Sequence, residues 1–414
     1  MESVLRVEAR VEPVRIGIIG VGNMGKSHAN DCVESELVEL VALCDTDASI
    51  LDSHPGIAHR VTRYEELLSV PGLEAVLIAT PHFDHTPIAL AAFERGISVL
   101  CEKPIGSTVG DVTRMIDAYE HARVTYPDIK FGAMFQQRTL PHWQRIREML
   151  QSGALGTLVR ATWIITDWFR TQYYYDMGHW RATWSGEGGG VLLNQCIHNL
   201  DLYQWFFGMP TEIVAQVSLG KYHEIEVEDE IAALFGHGDG MIGQFVSSTA
   251  ESPGTNRLEI VGEDGKLVYE NGTLTYDRNS VSMLEAIRRE RKAFMHVEHR
   301  SEEIELSGEG GTHREVIEGF ARSIRDGSLL VADGAEGLGS VALANGILMS
   351  HFTGGSVKLP LNAEEYEALL GDLKAGRASR ARSVSRSPDP GDPSTPRPGR
   401  FHRRRRPTQD RSSS

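Results

Sequence analysis

Along the first third of the chain the apolar residues fall in short unbroken runs. VRIGII (14–19), Val38–Leu43, AVLIA (75–79) and ISVLCE (97–102) are separated by the mixed stretches KSHANDCVESEL, EELLS and PIALAAFERG. Runs that are apolar on both faces, alternating with amphipathic stretches, predict buried parallel strands joined by helices. From about Leu155 to Tyr276 the pattern changes. LVRATWIIT, EIVAQVSL, EIAALFGHGDGMIGQFVSST and RLEIVGEDGKLVYENGTLTY are longer and partly alternating, and HGDG, GEDG and ENG interrupt them. Such Asp-Gly and Asn-Gly breaks are hairpin signals, so antiparallel pairing is expected here. Within this second region lies GEGGGVLLNQCIHNLD, Gly186 to Asp201. Its spacing predicts a mostly buried helix begun by glycines, with Asn194, His198 and Asp201 on one face beside Leu193, Ile197 and Leu200. A buried polar seam of that kind costs stability unless something satisfies it.

Composition narrows the class. With 414 residues, 41% hydrophobic and 24% charged, the chain has the size and make-up of a two-domain globular protein. No apolar run is long enough to span a membrane, and the first residues lack a basic-then-apolar leader pattern. Cys32, Cys44, Cys101 and Cys196 are scattered in apolar contexts, which suits reduced core thiols in a cytoplasmic protein. The net charge of −15 hides two populations: from Ala375 onward eleven arginines face three aspartates, and the remainder is strongly acidic. An acidic body argues against nucleic acid as its partner. The Ser-, Pro- and Arg-rich end has too few apolar residues to offset its chain entropy and is expected to be disordered, with RRRR as its only weak route to nucleic acid.

The first candidate chemistry is at GVGNMG, Gly20–Gly25, which directly follows a predicted strand and opens a predicted helix. Gly20 permits the tight turn, Gly22 lets backbone N–H groups approach a pyrophosphate, and Gly25 allows close helix packing. Asn23 and Met24 fill the motif. Asp45 closes the next strand twenty residues after Gly25, where a carboxylate accepts from the ribose 2′-hydroxyl and repels a 2′-phosphate. The cofactor expected is therefore NAD in preference to NADP. Thr80, Pro81, His82 and His85 follow the AVLIA strand, and Glu102 and Lys103 follow the next. Those are strand carboxyl ends, where ligands gather in a doubly wound sheet. The HxxH spacing of His82 and His85 lacks further ligands nearby in sequence, so no metal is expected.

These pieces, with TPHFDHTPIALAAFERGISVLCEKP, GGGVLLNQCIHNLDL and the closing VALANGILMSHFTGGSVKLPLNAEEYEALL, resemble the Gfo/Idh/MocA oxidoreductases over roughly residues 14–370. The resemblance implies an α/β Rossmann domain (12–134) and an α+β domain with a large open, mostly antiparallel sheet used for oligomers (135–370), ahead of the disordered basic tail (371–414). A homodimer or homotetramer is expected. The implied activity is NAD(P)-dependent hydride transfer to or from a secondary alcohol of a sugar or cyclitol. Lys103, the lysine of EKP, would polarise the reacting oxygen, and His198 would be the acid–base. The family pattern usually has aspartate four residues before that histidine. Here Asn194 stands there, an amide that binds hydrogen bonds but takes no proton, and Asp201 is left as a candidate to hold the imidazole. Arg170, Tyr174, Trp180, Arg181 and Trp184, in an aromatic stretch that also holds Asp176 and His179, are expected to line a sugar site. Gln136, Gln137 and Arg138 are lesser candidates at the domain junction. Two alternatives share these features: a glycosidase that oxidises its sugar transiently and recycles NAD, and a non-enzymatic sugar or dinucleotide sensor.

Overall fold

The computed structural model describes residues 12–178 and 180–377. The basic stretch from residue 378 onward and His179 lie outside the described residues.

Six strands form the first sheet: β1 (Val14–Ile19), β2 (Val38–Cys44), β3 (His59–Val61), β4 (Ala75–Ile78), β5 (Ser98–Cys101) and β6 (Phe131–Ala133). Their order is β3-β2-β1-β4-β5-β6 and every pairing is parallel. The order reverses between β1 and β4, which opens a crevice at their carboxyl ends. Helices α1 (Asn23–Glu34), α2 (Ala48–Leu51), α3 (Tyr64–Leu67), α4 (His82–Phe93) and α5 (Val109–Arg123) make the crossovers. β4 and β5 are buried at every residue, which is why their sequence shows no alternation.

The second sheet has nine strands: β7 (Leu158–Ile165), β8 (Glu212–Leu219), β9 (Glu228–Gly236), β10 (Ile242–Ser248), β11 (Asn256–Gly262), β12 (Gly265–Glu270), β13 (Thr273–Asn279), β14 (His299–Ile304) and β15 (Val357–Lys358). The turns at HGDG, GEDG and ENG join β9–β10, β11–β12 and β12–β13 as antiparallel hairpins. One central pair, β7 with β10, is parallel, so the sheet is mixed. β14 and β15 fall outside the span in which the sequence pattern indicates strands. β14 is exposed nearly throughout and reads HRSEEI, so no apolar face announces it.

Helices α6 (Pro141–Gln151), α7 (Gln172–Asp176), α8 (Ile197–Phe207), α9 (Met283–Arg289), α10 (His313–Asp326), α11 (Gly337–Thr353) and α12 (Ala363–Lys374) complete the chain. A single core joins residues of α6, α8, α11 and α12 to the inner face of the second sheet. α10 behaves differently. Its apolar stripe Val316, Ile317, Phe320 and Ala321 packs on Val14, Ile16 and Ile18 of the first sheet. The two units are thus interleaved in the chain, and α12 carries ordered structure past residue 370 into the expected tail. Asn345 of α11 ties them together: its Oδ1 accepts from Val109 N at 3.0 Å and its Nδ2 donates to Ser107 O at 3.1 Å.

Candidate active site

The glycine turn after β1 has the shape a dinucleotide requires. Gly20 is left-handed (φ 87°), and a Cβ on Gly25 would lie 1.9 Å from Gly20 O. Only glycine lets α1 pack so closely on the turn. A Cβ on Gly22 would meet nothing within 4 Å. Gly22 is also the N-cap of α1 and offers no side chain to the first turn, so the helix N–H groups face an open cradle suited to an anion. Asn23, Met24 and Gly25 are themselves that first turn. Asp45 accepts from Val21 N (2.8 Å) and Asp47 N (2.9 Å). Its carboxylate thereby fixes the turn, and each oxygen keeps a lone pair for a ribose hydroxyl. These residues fit NAD.

At the carboxyl end of β4, α4 begins at His82, earlier than the PIALAAFERG pattern suggests, with Pro87 inside it. His85 is buried, and its two nitrogens lie 2.9 Å from Thr80 O and 2.9 Å from Pro104 O. Burial lowers its pKa, so the neutral ring donates its single N–H to one of these carbonyls, and both nitrogens face the TPH and EKP turns. His82 Nδ1 meets Glu187 O at 3.1 Å, and its ring stands edge-on to Trp180. Burial drives the His82 pKa down to about 3, with His85 and Lys103 adding to the effect, so it is neutral. Among the described residues no group of three or more His, Cys, Asp or Glu side chains could hold a metal.

At the end of β5, Glu102 is buried with His28 Nε2 at 2.7 Å from its Oε1, and its Oε2 accepts from Lys103 N at 3.0 Å. Burial alone would raise its pKa. The His28 hydrogen bond, followed by the His28 and Lys103 charges, instead brings it to about 2. Glu102 is therefore an ionised anchor beneath the EKP turn. The Lys103 side chain crosses to the second unit, where Nζ donates to Asn194 O at 3.0 Å. Burial lowers the Lys103 pKa, and Glu102 and Glu187 oppose that.

Helix α8 begins at Ile197. Val191 to Cys196 form turns, so the helix expected from the glycines onward starts later and Asn194 precedes it. The glycines pack closely on protein. A Cβ on Gly190 would lie 2.2 Å from Glu228 O and one on Gly186 2.0 Å from Trp180 O. Glu228, buried in β9, accepts from Gly190 N (2.7 Å) and Leu192 N (3.0 Å) and so holds the turn from beneath.

His198 is buried, with Nδ1 lacking any partner and the Phe135 ring edge-on at 6.0 Å. Burial, then the Lys103 charge, takes its pKa down to about 3. Asp201 does not reach the imidazole. It pairs with Arg138 through contacts of 2.7 and 2.6 Å, both side chains fully buried, and Arg138 also meets Glu336. Asp201 and Arg138 thus pin α8 to the junction, which removes both from direct chemistry.

Asn194 is held on both sides. Its Nδ2 donates to Glu187 Oε1, and its Oδ1 accepts from Tyr174 OH at 3.3 Å. Glu187 is 2% exposed, and its Oε2 also accepts from Ala182 N at 2.6 Å. Burial raises its pKa, against the pull of those hydrogen bonds and of Arg181 and Lys103. A carboxylate thus stands one hydrogen bond from the position where the family pattern has aspartate. Glu187 and His28 are absent from the sequence-based candidates. The acid directly before GGG is the one signal that could have flagged Glu187.

Of the aromatic stretch, Tyr174 bonds Asn194, Arg170 and Arg181 flank the Tyr174 ring, and Trp180 lies against Arg181 and His82. Trp184 is buried in the second core with Phe352 edge-on, so it packs where a sugar wall was expected.

This arrangement belongs to a recognised class. Residues 14–127 match the family model described as an oxidoreductase family with an NAD-binding Rossmann fold, and residues 143–268 match the GFO/IDH/MocA C-terminal domain. The chain is a member of the Gfo/Idh/MocA family. It is 28% identical over 197 residues to the rhizopine catabolism protein MocA of Rhizobium meliloti, covering 47% of this chain and 57% of that one. It is 31% identical over 192 residues to trans-1,2-dihydrobenzene-1,2-diol dehydrogenase of Mus musculus, covering 46% and 53%. The matched stretch therefore spans little more than half the length of these two relatives. Among solved structures, the WlbA dehydrogenase from Bordetella pertussis in complex with NADH and UDP-GlcNAcA superposes with a TM-score of 0.71. It has 24% identity and covers 84% of this chain and all of that one.

Proposed function

We propose that the protein is an NAD-dependent dehydrogenase acting on a secondary alcohol of a sugar or cyclitol, with Lys103 and His198 as its reacting groups. The observation that carries this reading is the meeting of two halves. The Lys103 ammonium, from the end of β5, rests on Asn194 O four residues before His198, whose imidazole feels the Lys103 charge and has a free nitrogen.

NAD, when bound, supplies the hydride acceptor. The chain's own groups manage the oxygen and its proton. The Lys103 ammonium donates a hydrogen bond to the reacting oxygen and stabilises negative charge as it develops there. Neutral His198 receives the hydroxyl proton and returns it in the reverse reaction. Gly20, Gly22, Asn23, Met24 and Gly25 would cradle the pyrophosphate, and Asp45 would hold the ribose and disfavour NADP. Thr80, Pro81 and Glu102 would shape the nicotinamide end. Asn194, Arg170, Tyr174, Trp180 and Arg181 would contact the substrate.

The test is NADH formation with a panel of cyclitols, hexoses and glycosides, run with NAD and with NADP. Lys103→Ala and His198→Ala are each expected to lose about a hundredfold or more in kcat. Full activity in either variant overturns the assigned roles. Glycoside cleavage without net NADH selects the NAD-recycling glycosidase instead. A glycosyl hydrolase family 109 protein of Shewanella putrefaciens is among the relatives.

A further inference from the structure

Lys103, Arg170 and Arg181 bring three cations to one side of the site; Glu102 and Glu187 stand beside Lys103, and no carboxylate pairs with either guanidinium among the described residues. Arg170 and Arg181 flank the Tyr174 ring, with Cζ 5.1 and 5.0 Å from its centroid. Trp168 and Trp180 lie beyond them at 5.7 and 4.9 Å, so aromatic rings and guanidinium groups alternate. Neither arginine forms an ion pair among the described residues. Of their five N–H donors each, Arg181 spends one on Tyr174 OH (2.9 Å) and Arg170 one on Phe169 O (3.0 Å). Their charges reach the reaction centre, since both guanidinium groups add to the lowering of the Lys103 pKa.

The arginines are also within a substrate's length of Lys103. Contacts of 3.0, 3.3 and 2.9 Å lead from Lys103 Nζ through Asn194 and Tyr174 to Arg181. On its far side Arg181 lines a cleft of ≈ 580 Å³ with Gln172, Tyr175, Thr183 and His223, large enough for a small molecule. Asp176, Glu224 and Glu226 also line the cleft; they are exposed side chains and form no ion pair with Arg181, so its N–H donors stay available. The buried Glu187 is engaged by Ala182 N and Asn194. A neutral polyol needs donors and acceptors in mixture. A surplus of guanidinium N–H groups with no acceptor suits an anion, which two planar forks bind with charge-assisted hydrogen bonds.

We propose that the natural substrate carries an anionic group, a carboxylate or a phosphate, bound by Arg170 and Arg181 while its carbinol faces Lys103 and His198. This rests on the dehydrogenase reading for the carbinol end only. The substrate is then a sugar acid or sugar phosphate.

The test compares matched pairs: D-glucuronate and D-glucose 6-phosphate against D-glucose, and D-galacturonate against D-galactose. NADH formation gives rates, and thermal shift of the NADH-saturated enzyme gives binding. The acids are expected to exceed their neutral partners by about tenfold to a hundredfold in kcat/KM and in affinity. The carboxylate and phosphate arms show which anion is preferred. In Arg170→Gln and Arg181→Gln that ratio should collapse towards one through KM, and Arg181→Lys should restore part of it. Equal or better use of the neutral sugars, or a ratio unchanged in the variants, overturns the inference while leaving the dehydrogenase reading intact. Tight binding of the acids without NADH from any compound sinks the dehydrogenase reading and keeps the anion site. Neither binding nor turnover of the acids sinks the anion site.

Discussion

Glu187 is the residue whose removal is most informative. Its two oxygens accept from Ala182 N and Asn194 Nδ2, and its charge favours the ammonium form of Lys103. In Glu187→Gln one of those donors faces an amide NH₂ and loses its acceptor, a cost of about 1–3 kcal/mol for a buried group. The Lys103 ammonium is stabilised less, so its pKa falls further below the ordinary 10.5. Alcohol oxidation by the assigned roles needs the protonated lysine beside a neutral His198. Activity is present below that pKa and lost as pH rises through it, so the alkaline limb in Glu187→Gln should lie at lower pH than in the parent. Glu187→Asp, which keeps the charge, should restore part of the shift. Steady-state pH profiles of alcohol oxidation measure both, and an unmoved alkaline limb would leave Glu187 a merely structural residue. His198, with its pKa near 3, should add no acid limb between pH 5 and 8. The lysine and the histidine were singled out because EKP and GGGVLLNQCIHNLDL resemble the family's motifs. Glu187 was not, because its meaning depends on the loop from Trp180 to Gly186 folding back over Asn194.

At the scale of elements, α1 and the turn before it behave as one piece. A Cβ on Gly25 would overlap the Gly20 carbonyl, and one on Gly20 would sit 2.6 Å from Ala79 O of the neighbouring strand end. Backbone cannot yield as a side-chain tip does. Gly25→Ala is therefore expected to displace α1, weakening NADH binding at least about tenfold and costing about 1–3 kcal/mol of stability, the usual scale of overpacking. Fluorescence titration and thermal melts check this, and wild-type affinity in the variant would refute the tight packing. Elements with an apolar signature were readable: β1, β2, β4 and β5 by their runs, and β9 to β13 by alternation and Asp-Gly or Asn-Gly turns. The start of α8 was misjudged because Glu228 of β9 captures the N–H groups of Gly190 and Leu192, which holds that stretch in turns ahead of the helix. β14 was missed because a polar edge strand borrows its conformation from the partner it pairs with.

Among the described residues the helical core packs against one face of the second sheet. α6, α8, α11 and α12 pack on the inner side. On the outer side Val214 and Leu234 face each other across β8 and β9, at 47% and 49% exposed, and Ile242 of β10 is 53% exposed. Exposed apolar side chains adjoining in this way mark an association surface. A homodimer or homotetramer through this face is the proposed assembly. Leu234→Lys combined with Ile242→Asp should give monomers by light scattering with an unchanged circular dichroism spectrum. A parent protein that is already monomeric would end this proposal.

The sequence by itself determined the parallel and antiparallel halves and the dinucleotide turn, whereas Lys103 and His198 were singled out by the resemblance of their motifs to a family. The halves and the turn are written in local spacing: strand period, turn residues, and glycine where backbone must approach backbone. Tertiary structure alone decided which groups meet. It gave Asp201 to Arg138, set Trp184 in the core, turned both nitrogens of His85 towards carbonyls, and brought Glu187 to Asn194 and the two arginines to the faces of Tyr174. The reason is physical. A buried polar group takes whatever partner the packing places within about 3 Å, and that partner can come from any part of the chain.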